Sequence, residues 1–136
     1  MGMGTAMTID QSGFLLLLNW MSPAFPTGAF AYSHGMEWAI ENGDLQNAQD
    51  AEQWISDLLT SGSAWNDAVI FAQCWSGDPK PLNELALALA GSAERFHETT
   101  QLGRSFAIAA SEWTGQTFAD EAIAYPVVAG SSCSQM

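Results

Sequence analysis

The sequence predicts an all-α fold, an irregular bundle of about six or seven helices, and three observations indicate it. Apolar residues recur at helical spacing, most clearly from Ala51 to Leu59. Serine, asparagine and glycine stand where helices would begin and end. Proline and glycine clusters separate the periodic segments. The chain has 136 residues, 48% of them hydrophobic, and this length suits one domain.

The first third is predicted to hold two helices joined by a shaped loop. Residues 1–11 show no pattern and are expected to be a frayed start. A short buried helix is predicted over 12–21, because this run lacks β-branched residues, although its periodicity alone also fits a strand. Two prolines and a glycine exclude a helix over 22–30. A second helix is predicted over about 32–42, with Gly43 following its last residue.

The middle third is predicted to hold three helices. Asn47 with Asp50 three residues later is typical of a helix start. Residues 67–75 are apolar nearly all round, which is typical of a central helix, and Pro81 suits the first turn of the next one. The helix that follows Asn47 is expected to bury one apolar stripe, made of Ala51, Trp54, Ile55, Leu58 and Leu59.

The last third is predicted to contain the longest helix. Ser92 is expected to cap it, and it runs over 93–113 until Gly115 ends it. A short helix is predicted over 120–124, and the Tyr-Pro pair that follows requires a break or a new helix. Neither an internal repeat nor a linker is visible, so 12–130 is predicted to be one helical domain.

The acidic charge balance excludes two classes of partner. The net charge is −12, and the basic residues are Lys80, Arg95 and Arg104 alone. No basic stripe is available for a phosphate backbone, so nucleic-acid binding is not expected. An anionic membrane surface would repel the chain for the same reason. A basic protein partner would be attracted, although an acidic surface that merely keeps the protein soluble explains the charge equally well.

Cysteine usage and the apolar run near the N-terminus both predict a cytoplasmic protein. Cys74 and Cys133 lie far apart in sequence and have the spacing of neither a disulfide framework nor a zinc site. The apolar run over 14–18 is too short to span a membrane, and it lacks the basic start of a signal peptide.

No catalytic or cofactor motif stands out, so we predict that the chain is not an enzyme and has no cofactor of its own. The phosphate-binding patterns GxxxxGK[ST] and GxGxxG are absent. Ser33 and His34 are adjacent, and neighbours on a helix do not face each other. An alternative is a metal site, in which His34 and Glu37, one turn apart on the predicted helix, act with His97.

The loop over 23–30 is a candidate binding platform, with an internal alternative. Phe25 stands between Pro23 and Pro26, and a loop stiffened by proline loses little entropy on binding a partner. The alternative is a loop that packs its apolar side chains onto its own core.

Two charged features have the same ambiguity. Arg104, one turn from Gln101, anchors a partner carboxylate or pairs with Glu94 or Glu98 of its own helix. Glu37, one turn before a second glutamate, belongs to a solvated face or to a docking site for a basic partner.

The segment over 22–43, SPAFPTGAFAYSHGMEWAIENG, resembles the UreF family of urease accessory proteins. The family pattern S-P-x-x-P-x-G-x-[FY]-x-[YF]-S-x-G-[LM]-E is met by Ser22, Pro23, Pro26, Gly28, Phe30, Tyr32, Ser33, Gly35, Met36 and Glu37. A second segment, over 94–106, is similar to the family helix E-x-x-x-x-x-x-Q-[ML]-G-[RK], and AYPVVAG over 124–130 resembles the start of a later helix. The resemblance covers residues 14–130.

The resemblance implies an all-helical protein without catalytic activity. UreF proteins join a UreD/UreH-type protein and the GTPase UreG, and the assembly inserts nickel into apo-urease. UreF is expected to modulate the GTPase, while the complex handles nickel; a direct nickel-binding chaperone that uses His34, Glu37 and His97 is the alternative. The predicted partner-binding residues are Pro23, Phe25, Pro26, Tyr32, Ser33, His34, Glu37, Gln101 and Arg104.

The C-terminal end departs from the family pattern. Family members are expected to continue with further helices that pack on this part, whereas SSCSQM over 131–136 resembles nothing in the family and is predicted to be a tail on a truncated chain. Losing a helix that covers about 500 Å² would remove roughly 12 kcal/mol of apolar burial. We therefore expect the chain alone to be marginally stable, homodimeric through exposed apolar faces, or aggregation-prone.

Overall fold

The computed structural model describes residues 11–117 and 122–135. Within these ranges the chain forms seven α-helices and one 3-10 turn, and no β-strand, which confirms the predicted all-α class. None of the described helices combines the length and apolar character that crossing a bilayer requires. The helices are α1 (Gln11–Trp20), α2 (Met36–Asn42), α3 (Ala48–Thr60), α4 (Ser63–Gln73), α5 (Pro79–Ala88), α6 (Ala93–Thr114) and α7 (Tyr125–Cys133), and the 3-10 turn is Ala29–Ala31.

Four helix ends lie where the capping residues predict them. Asn47 Oδ1 accepts hydrogen bonds from the second and third backbone N–H groups of α3, at 2.9 and 3.1 Å. Ser92 Oγ accepts one from the third N–H group of α6, at 3.1 Å. Gly43 and Gly115 end α2 and α6 with left-handed φ angles of 84° and 63°, which glycine adopts without steric cost.

The central helix is α7. Every residue from 126 to 133 is buried, and α7 packs mainly against α6 and α4 and also against α5. The prediction of a central helix over 67–75 is wrong, because α4 buries Ile70 while Val69 beside it is 42% exposed.

Neighbouring side chains satisfy the start of α7. The Asn83 side chain of α5 donates to the carbonyl of Ala122 at 2.9 Å and accepts from the N–H of Ala124 at 2.8 Å. Thr99 Oγ1 of α6 accepts from the N–H of Tyr125 at 3.2 Å. The first N–H groups of a helix have no partner within it, so α5 and α6 provide what α7 lacks.

Two glycines allow helices to approach one another closely around α7. A Cβ at Gly130 would lie 2.5 Å from the carbonyl oxygen of Phe71 and 2.9 Å from the Cβ of Cys74. A Cβ at Gly103 of α6 would overlap the carbonyl oxygen of Ile123, just before α7. Both approaches are shorter than van der Waals contact, so the packing requires glycine at these two positions.

Phe106 of α6 is the centre of an aromatic cluster that joins α1, the loop after it, α6 and α7. Its ring centroid lies 5.5 Å from that of Trp20, 5.2 Å from Phe25 and 5.7 Å from Tyr125. The rings of Trp20 and Tyr125 meet Phe106 edge-on, an arrangement that aromatic pairs favour.

The helix α1 and the apolar stripe of α3 were predicted to be buried, and both are partly exposed. α1 buries two residues only, and Leu15 and Leu18 are 62% and 53% exposed. α3 is amphipathic as predicted, yet against the described part of the chain it buries no residue, and Ile55 and Leu59 are 47% and 58% exposed. The helices are where the periodicity places them, but the described chain does not cover these faces.

Three predicted segments have bounds that differ from those of the described helices. Residue 11 already belongs to α1, and the rest of the predicted frayed start, 1–10, lies outside the described residues. The short helix predicted over 120–124 falls partly on undescribed residues, and 122–124 are not helical. The tail predicted over 131–136 is wrong in its first half, because 131–133 complete the buried helix α7.

Candidate functional site

The chain turns sharply over residues 32–35, and we call this segment the motif loop. His34 and Gly35 have left-handed φ angles of 52° and 81°, and the N–H of Met36 donates to the carbonyl of Ser33 at 3.1 Å. Two successive left-handed residues cannot continue a right-handed helix, so α2 begins at Met36 and not near residue 32 as predicted. His34 and Glu37 therefore do not share a helix face, and the predicted metal pair is wrong in its geometry.

An ion cluster joins the motif loop to α6 and α4. Glu98 of α6 is 7% exposed, and its Oε1 lies 3.6 Å from His34 Nδ1. Its Oε2 lies 3.3 Å from Arg95 Nη1. Arg95 also donates a hydrogen bond through Nη2 to Asp67 Oδ2 of α4. We call Asp67, Arg95, Glu98 and His34 together the ion cluster.

The ion cluster holds two carboxylates against one guanidinium. A buried carboxylate is costly unless it is paired, and Arg95 supplies the opposite charge for both Asp67 and Glu98. Burial raises the pKa of Asp67 above its ordinary value, although the charge and the hydrogen bond of Arg95 act in the lowering direction. While His34 is neutral, the ion cluster has one negative charge in excess.

The motif loop and α6 border an open cleft of about 600 Å³, which we call the motif cleft. Residues 32–35 line it from the loop, Ala31 lines it from the 3-10 turn, and Arg95, His97 and Glu98 line it from α6. The two sequence segments that resemble one family, about 60 residues apart, therefore meet in space.

A polar stripe runs along α6 from the motif cleft. Glu94, His97, Gln101 and Arg104 follow one another at spacings of three or four residues, so they share one helix face, and all four are exposed. Arg104 makes no ion pair with any described residue, so the internal alternative of a pair with Glu94 or Glu98 is not formed. Gln101 and Arg104 thus remain available at the surface.

Of the remaining residues that were predicted to bind a partner, some are exposed and one is buried. Pro23 and Pro26 are exposed, as is Glu37 in the first turn of α2. Phe25 is 7% exposed and packs on Phe106, so its assignment to the partner surface is wrong. The physical reason is that the aromatic ring gains more by burial in the core, which is the alternative that the sequence left open.

Three members of the ion cluster, Asp67, Arg95 and Glu98, were missed as site residues in the sequence. Arg95 stands three residues before Glu98 on one helix, a spacing that favours ion pairs and was visible. Asp67 lies 28 residues from Arg95, and no local pattern connects them.

The described residues contain no group of three or more His, Cys, Asp and Glu side chains that is arranged to bind a metal ion. His34 and His97 both line the motif cleft, whereas Glu37 does not. The three residues of the alternative metal site are thus not brought to one place.

Comparison with known proteins identifies the family. A family model described as UreF matches residues 45–136, more than half of the chain. The chain belongs to the UreF family. This confirms the resemblance seen in the motifs, and because the UreF match reaches residue 136, the predicted non-family character of 131–136 is wrong as well.

Several relatives bear the name urease accessory protein UreF. One from Cereibacter sphaeroides is 46% identical over 123 residues, which cover 90% of this chain and 58% of the relative. One from Allorhizobium ampelinum is 43% identical, covering 90% and 59%. The protein named urease accessory protein UreF 1 of Brucella anthropi is 42% identical, covering 93% and 58%. The chain thus spans under three-fifths of the length of these UreF relatives.

Proposed function

We propose that the chain is a urease accessory protein that acts without catalysis, as a scaffold in the complex that inserts nickel into apo-urease. Its partners would be a UreD/UreH-type protein, the UreG-type GTPase whose state it modulates, and apo-urease, all in the cytoplasm. Membership of the UreF family and the names of the relatives support this proposal.

One observation carries the proposal: the two motif segments converge on one surface. The motif cleft joins them, and the polar stripe continues from it with side chains that have no internal ion pair among the described residues. Within the cleft, Arg95, Glu98 and His34 hold one another in place, which suits a preorganised recognition surface. The proposed contact residues are Pro23, Pro26, Tyr32, Ser33, His34, Glu37, Gln101 and Arg104.

The test is assembly with a UreD/UreH-type partner. Both proteins are co-expressed and analysed by size-exclusion chromatography with light scattering, which is expected to give a stoichiometric complex. Glu37→Lys and Arg104→Glu are each expected to weaken the complex by at least about tenfold, since each reverses an exposed charge.

Two matched variants control for charge alone. Glu41→Lys changes an exposed glutamate one turn further along α2, and Lys80→Glu changes an exposed cation on α5. Both are expected to assemble normally, and all four variants should keep the melting temperature of the parent. If Glu37→Lys and Arg104→Glu assemble as well as their controls, the surface is wrongly assigned.

Nickel is treated as cargo of the assembly in this proposal. Calorimetry of the isolated chain with nickel is expected to show no micromolar binding. Micromolar binding that is lost in His34→Ala would instead support the direct nickel chaperone.

We also propose that the chain forms a homodimer through the exposed apolar face of α3. The support is that Ile55 and Leu59 project from this face while α3 buries no residue. Light scattering of the chain alone is expected to give twice the monomer mass, and Leu59→Ser is expected to shift it toward monomer. A parent chain that is monomeric at micromolar concentration contradicts the proposal.

A further inference from the structure

A single polar contact joins the motif loop to α6 in the described part of the chain. It is the approach of His34 Nδ1 to Glu98 Oε1, at 3.6 Å. The backbone hydrogen bonds of the motif loop stay within residues 29–39, such as the one from the N–H of Met36 to the carbonyl of Ser33. The polar attachment of the motif loop to α6 therefore depends on one histidine and one glutamate.

Glu98 is fixed from its other side. Its side chain is 9% exposed, and Oε2 lies 3.3 Å from Arg95 Nη1, while Oε1 faces His34. Arg95 in turn donates a hydrogen bond to Asp67 of α4. Because burial and the charge of Arg95 both restrict this carboxylate, it offers the motif loop a fixed anchor.

The strength of the contact depends on the protonation of His34. A distance of 3.6 Å exceeds that of a hydrogen bond, so a neutral imidazole gains little from Glu98. An imidazolium is attracted by the full negative charge of the carboxylate, which acts over this distance. The side chain of His34 is 43% exposed, so protons from water reach it, and histidine changes its charge near neutral pH.

The charges around His34 are negative on balance. Those on α6 and α4 are Glu94, Arg95, His97, Glu98 and Asp67. In the motif loop the titratable neighbour is Tyr32, α3 lines the motif cleft with the uncharged Leu58, and Glu37 of α2 does not line it. Burial raises the pKa of Asp67, and the charge of His34 is among the influences that lower it, so the two groups interact electrostatically.

We propose that Glu98 positions the motif loop through His34, and that protonation of His34 tightens this hold. Glu98 is thus a positioning residue, and a fall in pH fixes the motif loop against α6. The inference rests on the proposed function only in that Tyr32, Ser33 and His34 belong to the proposed contact surface. The hold itself is a property of the isolated chain and is measured there.

The pH dependence of stability tests the hold. In the folded state the imidazolium of His34 faces Glu98, whereas in the unfolded state it faces water. Folding is therefore favoured where imidazole is protonated, below about pH 6.5, and the advantage is lost as the pH rises toward 8. In urea denaturation, the folding equilibrium constant of the parent is expected to rise about threefold more from pH 8 to pH 6 than that of His34→Asn.

The variants are chosen so that only the charge changes. His34→Asn keeps the turn, because asparagine adopts the left-handed backbone conformation more readily than most residues. Glu98→Gln keeps the size of its side chain and is expected to lose the same pH response. The controls His97→Gln and Glu94→Gln alter exposed residues of the same cleft and should keep the response. The chain has two histidines, so the two histidine variants together account for every imidazole.

Three results on the isolated chain would overturn the proposal. Equal pH responses of the parent and His34→Asn would mean that the proton on His34 does not affect the fold. An equal loss of the response in His97→Gln would assign the proton to the other histidine. A full response in Glu98→Gln would mean that Glu98 is not the anchor.

Assembly separates this proposal from the proposed function. The Kd for the UreD/UreH-type partner is measured at pH 6 and pH 8. The ratio of the two values is expected to differ about threefold between the parent and His34→Asn, because a loop that is already held loses less entropy on binding. Equal ratios would overturn the positioning role. A chain that shows the stability response but assembles at neither pH contradicts the accessory function alone, and the hold of Glu98 on the motif loop stands.

Discussion

Helices α7 and α3 show opposite relations between composition and burial. α7 reads YPVVAGSSC, with three small polar or glycine positions in a row, yet it is buried along its length. α3 has a clear apolar stripe, yet against the described part of the chain none of its residues is fully buried. An amphipathic pattern therefore indicates a face that can be buried, whereas the burial of a helix depends on which other helices pack against it.

α4 and α6 pack closely around α7 because small residues stand at the contacts. Gly130 lets the backbone of α4 approach, and Gly103 of α6 lets the chain before α7 approach in turn. Close approach buries even serine and cysteine at full depth, while α3 contacts mainly α4. Four mutations test this contrast, in order of decreasing effect.

Phe106→Ala should have the largest effect. It removes a fully buried ring that contacts three other aromatic rings, and we expect the free energy of unfolding to fall by about 4 kcal/mol. Ile108→Ala on the same helix, where the side chain is 66% exposed, is the control and should cost under about 0.5 kcal/mol. Urea denaturation measures both, and similar losses would contradict the assigned core.

Gly103→Ala should lower the free energy of unfolding by about 3 kcal/mol. Its new Cβ would meet the carbonyl oxygen of Ile123, which belongs to the backbone and cannot rotate away. At a helix position with open space around it, the same change would raise the free energy of unfolding by about 1 kcal/mol. The sign of the change therefore shows whether the close approach at Gly103 exists. Gln101→Ala, on the exposed face of α6, controls for helix propensity and should be nearly neutral; stabilisation by Gly103→Ala would mean that the close approach is absent.

High pH should destabilise the molecule through α7. Burial raises the pKa of Cys133 to about 12 from its ordinary 9.0, so the folded state retains this proton more firmly than the unfolded state. That stability is complete below pH 9 and is lost as the pH rises toward 12, and the loss at pH 10 is about 1.4 kcal/mol.

Cys133→Ala isolates this contribution. Whatever the stability of the variant below pH 8.5, its decline between pH 8.5 and 10 should be shallower than that of the parent, as measured by urea denaturation at each pH. The comparison is between the two slopes of the free energy of unfolding against pH. Burial raises the pKa of Cys74 as well, but that thiol is present in both proteins and contributes equally to both slopes. Parallel curves would contradict the burial of the Cys133 thiol.

Leu59→Ser should have the smallest effect on the fold. The side chain is 58% exposed on α3, so the free energy of unfolding should change by under about 0.5 kcal/mol when it is measured at a concentration low enough for the proposed dimer to dissociate. Dynamic light scattering should show less aggregation, because an exposed apolar side chain is removed. A loss above about 2 kcal/mol in the dissociated monomer would mean that the chain itself covers this face.

The helix ends and the motif positions were predictable from sequence because they depend on local chemistry. Asn47 and Ser92 cap by accepting hydrogen bonds from residues two or three positions away, and Gly43 and Gly115 adopt a conformation that suits glycine alone. The start of α2 was misplaced, because few residues other than glycine adopt the left-handed conformation that His34 has.

The rest depends on contacts between distant residues. Phe25 is equally compatible with a binding platform and with the core until the position of Phe106 is known. Asp67 joins the ion cluster across 28 residues, and the apolar surface that Leu18, Phe71 and Ala129 line draws on three helices. A single sequence contains no periodicity that reports such pairings.

The burial of both thiols in the described chain makes them reporters of motion. Cys133 is fully buried, and Cys74 lies against Gly130 of α7 with 5% of its surface exposed. An alkylating reagent reaches them only when α7 separates from α4, so the labelling rate reports how often these two helices separate. A mutation that destabilises the packing of α3 alone should leave the alkylation rate unchanged, whereas one that destabilises the packing of α7 should raise it.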